Sequence, residues 1–327
     1  MKITTMCNRN LDMLCFLNVA TGDKFYTKVH KKEYKRFYPL LSSDIKEKIN
    51  KMVAKRERTR LWPLVALLVS SVEHYESRDL LEMLQSHNEI REGIALSPYF
   101  KDDDAEKELT MHFETFTDAV IPFIKELEDI GFAEYWDKIK RPLLEEKCNH
   151  LNNFLRKFNI LDEVSTLMPF SDADIRMWIC AFARPHGVKL CGYDMIADYT
   201  WDDEIILATI THEMFHPPYK FETVAEAVEK LGNMPWVIKA YNKQRPGHEY
   251  KPMSGFIEEN IVEALGIYVL KKMLPKYNAY KYFKKHDYGS HVISPHFYDY
   301  LHSTPKNLVQ SFEEYFIDFV DALSNVH

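Results

Sequence analysis

Glycine is scarce at the front of this chain: of 10 in 327 residues, only Gly22 and Gly93 precede Gly131. A β-rich first half would need turn glycines far more often, so the shortage favours helices there. Cysteine is equally sparse. The five (Cys7, Cys15, Cys148, Cys180, Cys191) are widely spaced with no CxxC pair, which excludes a cysteine zinc site and a disulfide framework and points to reduced, mostly buried thiols. Long apolar runs are missing too. The longest, Leu61 to Val69, covers nine residues and cannot span a bilayer. Asn8, Arg9, Asn10 and Asp12 would interrupt the apolar core of a secretion signal. A cytoplasmic location with no membrane partner is the expectation.

What is present describes an ordinary globular chain, 46% apolar and 28% charged, long enough for one large domain or two moderate ones. The net charge of −7 is unevenly spread, because residues 1–60 carry 15 Lys and Arg against 6 Asp and Glu. A basic surface for nucleic acid would gather these charges on one stripe. Lys46, Lys48, Lys51, Lys55 and Arg58 instead spread around a helix, so no nucleic-acid partner is expected.

Apolar residues at three- and four-residue spacing predict helices over Leu11 to Ala20 (capped by Asn10), from Asp44 with a capping box to Glu47, and over Leu64 to Tyr75, Leu80 to Ser86, Asp104 to Ile130 and Ala133 to Phe158. The texture changes after Pro169. Ile175 to Ala183 is β-prone, Arg184 to Gly187 supplies turn chemistry with His186 as an exposed turn residue, and Val188 to Cys191 and Asp194 to Tyr199 return as strands. The fold class is therefore α+β and mainly α-helical, with a small sheet leading into the segment that carries the chemistry. We expect a helical region 1–168 and a metal-binding region 169–327, or one continuous domain.

That chemistry lies in Thr211-His212-Glu213-Met214-Phe215-His216-Pro217-Pro218. On a helix His212 and His216 leave one face about a turn apart and can grip one metal ion. Glu213 follows at about 100° around the helix, which aims its carboxylate at the position of a metal-activated water, as a general base. An HExxH string arises by chance in about one chain of this composition in twenty, so its setting matters. Ile205, Ile206, Leu207 and Ile210 precede it, and a core helix does not carry two histidines and a glutamate unless something satisfies them. Pro217 and Pro218 should stop the helix just past His216.

Zinc needs a third protein ligand. Ser254 to Leu270 forms an apolar helix that carries Glu259 and Glu263 four residues apart on one face, so one can bind metal while the other accepts a hydrogen bond from a ligand histidine. Glu258 points elsewhere. Gly266, next on the face of Glu263, would let this helix approach the metal helix closely. A donor for the oxyanion is expected from the stretch after it: His291, in the loop before Ser294-Pro295, with Tyr288 in reserve.

HExxH followed by a glutamate on a later helix resembles the gluzincin group of metallopeptidases; here that glutamate lies 43 or 47 residues beyond His216. Glu259 with Glu263 is similar to the ExxxD/E pairing of ligand and orienter, whereas Glu263-Ala264-Leu265-Gly266 is similar to the EGLA-type ligand helix. A closer resemblance is to an uncharacterised bacterial HExxH family of peptidase-like proteins, through Asn10 to Leu14, His212 to Pro217, Glu259 to Val262 and Ser311 to Phe316. The resemblance implies a zincin-like fold, Zn2+ as cofactor, and hydrolysis of a peptide or other amide substrate. The alternative is a catalytically inactive metal-binding or regulatory protein of the same fold. No substrate or oligomeric state follows from it.

Overall fold

The computed structural model describes residues 2–54, 62–95, 117–169, 174–184, 187–245 and 250–324. Part of one expected helix (104–116), Lys55, Arg58 and His186 lie outside them. The chain is mainly helical with one small sheet, as its composition predicts. It divides into two compact units that alternate along the sequence: one of residues 3–154 and 174–202, the other of residues 1–2, 155–173 and 203–327. Among the described residues no helix is long and apolar enough to cross a membrane.

The first unit holds β1 (Ile3–Met6), α1 (Arg9–Ala20), α2 (Lys24–Val29), α3 (Lys31–Phe37), α4 (Ser43–Ala54), α5 (Trp62–Ser70), α6 (Leu80–Gln85), α7 (His87–Ala95), α8 (117–129), α9 (Phe132–Tyr135), α10 (Arg141–Leu155), β2 (Ile175–Cys180), β3 (Val188–Lys189) and β4 (Met195–Asp198). A single wide turn, Trp136–Lys140, carries α9 into α10. The sheet order is β1-β2-β4-β3, with β2 parallel to β1 and β4, and β3 antiparallel to β4. Its three later strands fall where alternation predicts them, somewhat shorter. β1 is a strand that four residues of ITTM do not announce.

Helix starts differ from expectation by small steps. Asn8 rather than Asn10 caps α1, its side chain accepting from Leu11 N at 3.1 Å. Ser42 caps α4 through Oγ and Ile45 N at 3.3 Å. In both cases the capping oxygen belongs to the residue just outside the first helical turn, whose N–H groups lack intrahelical partners.

The second unit is built around one helix. It holds α11 (Ile160–Ser165), α12 (Asp203–Glu213), α13 (Phe221–Gly232), α14 (Pro235–Tyr241), α15 (Met253–Met273), α16 (Ala279–Lys285), α17 (Ser294–Ser303) and α18 (Phe312–Ser324). From Asn260 to Ile267 every residue of α15 is buried. A helix buried round its whole circumference is a central one, and α15 packs against α11, α12, α13, α16 and α17. Polar groups on such a helix must be satisfied inside the protein. Asn260 does this by donating Nδ2 to Phe256 O at 2.9 Å and accepting Ile293 N at 2.9 Å, while Ser294 Oγ donates to Asn260 O at 2.8 Å. Those bonds tie the start of α17, and the loop before it, to the middle of α15.

Candidate metal centre

Helix α12 packs on α15, and Gly266 makes the close approach possible. A Cβ there would stand 3.0 Å from His212 Cα, 3.1 Å from His212 N and 3.3 Å from Thr211 C, all backbone that cannot swing aside. The absence of a side chain sets the interhelix spacing directly beneath His212.

Helix α12 ends earlier than the motif suggests, at Glu213. Met214 N still bonds Ile210 O at 3.1 Å, but Phe215 N reaches back only to His212 O (3.0 Å) and His216 N to Glu213 O (3.4 Å). Pro217, joined to His216 by a cis peptide, has no N–H to give and disfavours helical dihedrals in the residue before it. The tightened turn still leaves the two histidines about one turn apart. Their Nε2 atoms stand 3.1 Å from each other.

The rest of the site comes from α15. Glu259 Oε1 is 3.3 Å from His212 Nε2, and Glu259 Oε2 is 3.6 Å from His216 Nε2. Glu263 Oε2 lies 2.7 Å from His212 Nδ1. His216 Nδ1 has a carboxylate as well, Glu258 Oε1 at 3.1 Å. This corrects the expectation for Glu258. A straight helix through His216 would leave Glu258 aimed elsewhere; with His216 one tightened turn beyond the helix end, its ring presents Nδ1 to Glu258 and Nε2 to Glu259.

These contacts fix tautomers. A carboxylate at Nδ1 favours the proton on that nitrogen and leaves the lone pair on Nε2. Both Nε2 lone pairs then converge with a carboxylate on one point, which is repulsive in the absence of a cation. The spacings are those of ligands around a small ion. With zinc–nitrogen bonds of 2.0–2.1 Å, the edge of a tetrahedral shell is about 3.3 Å, against 3.1, 3.3 and 3.6 Å here. Two imidazoles and a carboxylate also match the donor types zinc takes in open sites. The donor set thus fits a divalent ion.

Without one, protons take its place. Burial alone would push His212 down, but the Glu263 and Glu259 carboxylates overcome it and hold the imidazole well above its ordinary value. Burial likewise raises Glu259 and Glu263, and His212 outweighs it and draws both below the ordinary carboxylate range. Three glutamates facing two histidines is an excess of negative charge in a largely enclosed space. A dication offsets it.

Glu213, the last helical residue of α12, is half-buried. His291 does lie in the loop before α17, but only 1% of it is exposed, and its ring joins Glu263 and His286 in a group whose ligand atoms lie within 4.8 Å of one another. It stands behind the carboxylate of Glu263 rather than in an open cleft, because Asn260 draws Ile293 and Ser294 onto α15. Tyr288 is 65% exposed and lies under the Arg245 guanidinium, 4.3 Å from its ring centre. Sequence reasoning also missed Tyr219, which follows the second proline and buries its hydroxyl; burial first, then the Glu258 charge, keeps that phenol protonated.

Comparison of the chain with family models, with curated proteins and with solved structures returns no match.

Proposed function

We propose that the second unit is a zinc-dependent hydrolase, a metallopeptidase that cleaves amide bonds. The convergence of two Nε2 lone pairs and the Glu259 carboxylate at about tetrahedral-edge spacing carries this reading. His212, His216 and Glu259 hold the ion. Glu263 orients His212, and Glu258 orients His216. When bound, zinc supplies a Lewis acid for the scissile carbonyl and lowers the pKa of water. The chain's own catalytic group is Glu213. Adjacent to His212 and half-buried, its carboxylate accepts the proton of the attacking water and returns it to the leaving nitrogen. The oxyanion donor comes from the stretch after α15: His291, buried beside Glu263, or Tyr288, exposed under Arg245.

Metal content by plasma mass spectrometry, measured beside cleavage of a peptide library, tests the assignment. One zinc per chain in the wild type and in Glu213→Gln, none in His212→Ala, and cleavage by the wild type alone is the expected pattern. Zinc with no cleavage of any library member leaves the inactive metal-binding protein as the better reading. No zinc in any form after zinc is supplied sinks both.

A further inference from the structure

Two cavities flank the segment that runs from His286 to Val292. The larger, about 860 Å³, is walled by the end of α15, the turn after it and α16, including Lys276, Lys281, Lys285 and His286. The smaller, about 430 Å³, lies between the end of α14 and the loop 288–292, including Lys239, Lys243 and Arg245. Both volumes are in the range of ligand sites. Six cationic side chains enter the two walls, against a single acid, Glu204. The chain as a whole is at −7, so this is a local reversal of sign.

Among the described residues none of the six makes an ion pair. Lys281 and Lys285 are four apart on α16, while Lys239 lies on the last turn of α14 and Lys243 two residues past its end. Like charges at that spacing repel by a few tenths of a kcal/mol per pair. The α16 pair, with the other lysines and Arg245 lining the two cavities, forms an arrangement that an anionic guest relieves. Aromatic walls accompany the charge: Tyr277 and Tyr282 with ring centres 5.9 Å apart in the larger cavity, Trp236 and Tyr288 in the smaller.

The larger cavity also reaches toward the metal-ligand candidates. His286 lines it and stacks on His291 at 5.2 Å. Both stand with Glu263 in one group, and Glu263 holds His212. We infer that the paired basic cavities bind the acidic side chains of an extended peptide, so that the substrates of this hydrolase are acidic peptides. The inference rests on the hydrolase reading for the word substrate, while the binding itself does not.

The test is fluorescence anisotropy with rhodamine-labelled twelve-residue peptides, one carrying two clusters of Glu and one its Gln counterpart, on the zinc-loaded full chain. The Glu peptide is expected to bind at least tenfold more tightly, with an advantage that shrinks as salt rises. The pairs Lys281→Glu with Lys285→Glu, and Lys239→Glu with Lys243→Glu, should each weaken it about fivefold or more, and Lys51→Glu, an exposed control outside this unit, should not. Equal binding of the two peptides, binding of neither, or tighter binding of a single-stranded oligonucleotide of equal charge overturns the inference. Mass spectrometry of the same samples separates the two claims. A Glu peptide bound but uncleaved ends the hydrolase reading alone, and Gln and Glu peptides cleaved with equal KM end this inference alone.

Discussion

Each unit buries acids beside groups that bind metals, and they resolve the problem in opposite ways. In the first, Asp12 is fully buried and its carboxylate stands with Cys15 and Cys180. Both of its oxygens are already engaged, Oδ2 by Trp136 Nε1 at 2.6 Å and Oδ1 by Phe182 N at 3.1 Å. Glu33 of the same unit is matched by Lys140 Nζ at 2.7 Å and the Tyr135 hydroxyl at 2.8 Å, and Asp194 by Arg176, Tyr75 and Trp178. In the second unit the ring nitrogens of His212 and His216 and the carboxylate of Glu259 face one another at 3.1 to 3.6 Å. Proximity of ligand-type atoms is common to both. What separates the structural knot from the candidate metal centre is that the knot's carboxylate oxygens are engaged by donors from outside the cluster, whereas the centre's atoms meet at the edge spacing of a small ion's shell.

The largest effect expected from this contrast belongs to the knot. Burial raises the Asp12 carboxyl from 3.8 to about 7, with the Trp136 and backbone hydrogen bonds opposing. A carboxyl raised in the fold contributes stability that is full below its unfolded value and is lost as pH climbs through its folded value. The window runs from about pH 4 to pH 7, and the size is about 4 kcal/mol. His30 works the other way there: burial holds it at about 4, so its share of stability grows as pH rises from 4 to 6.5. The signature is therefore the difference between wild type and Asp12→Asn. In urea melts followed by tryptophan fluorescence, that difference should move by about 4 kcal/mol in favour of the variant between pH 4 and pH 7. A difference that stays constant would mean that Asp12 keeps its ordinary pKa.

How much of this was legible depended on how far each feature reaches along the chain. The HExxH spacing and Glu259 with Glu263 are local periodicities, visible on any helix, as was the small residue at 266. The early end of α12 is half legible: Pro217 marks a stop, and the restriction that a proline places on the residue before it, here His216, moves that ring toward Glu258. β1 was illegible because its partner, Ile175 opposite Ile3, lies beyond most of a unit, and parallel pairing leaves no local pattern. His291 lies in the loop before α17, as Ser294-Pro295 predicts, but its burial is not legible, since Asn260 decides where that loop lies and a buried asparagine in an apolar helix does not announce its partners.

Within the metal centre, the two outer carboxylates should differ in weight. Glu263 is 3% exposed and 2.7 Å from its histidine, whereas Glu258 is 32% exposed and 3.1 Å away. Outer-shell partners of ligand histidines are worth about 10 to 100-fold in metal affinity, and solvent screening reduces an exposed one. Competition for zinc against a chromophoric chelator should place Glu263→Gln near the upper end of that range and Glu258→Gln within a few fold of wild type. The reverse order would give the larger orienting role to Glu258 at His216 and make the buried Glu263 carboxylate a structural acid, as in the knot.

The smallest effect tests whether backbone spacing belongs to the site. In an exposed helix, Gly→Ala stabilises by about 1 kcal/mol. At Gly266 the new Cβ meets backbone of His212 and Thr211 at 3.0–3.3 Å, which forces α12 and α15 apart by a few tenths of an ångström and costs about 1–3 kcal/mol. The sum is a loss of about 1 kcal/mol in the apoprotein. Because Glu259 and Glu263 ride on α15 and both histidines follow from α12, the same displacement lengthens every contact across the centre together. Gly266→Ala is thus expected to weaken zinc several-fold while leaving each ligand in place. The equivalent change at Gly255, on the same helix, where Pro252 Cδ at 3.9 Å is the nearest tertiary neighbour of a Cβ among the described residues, should follow the ordinary helix rule and leave zinc affinity unchanged. Equal zinc affinity in both variants would show that the centre tolerates the shift, and that Gly266 serves packing alone.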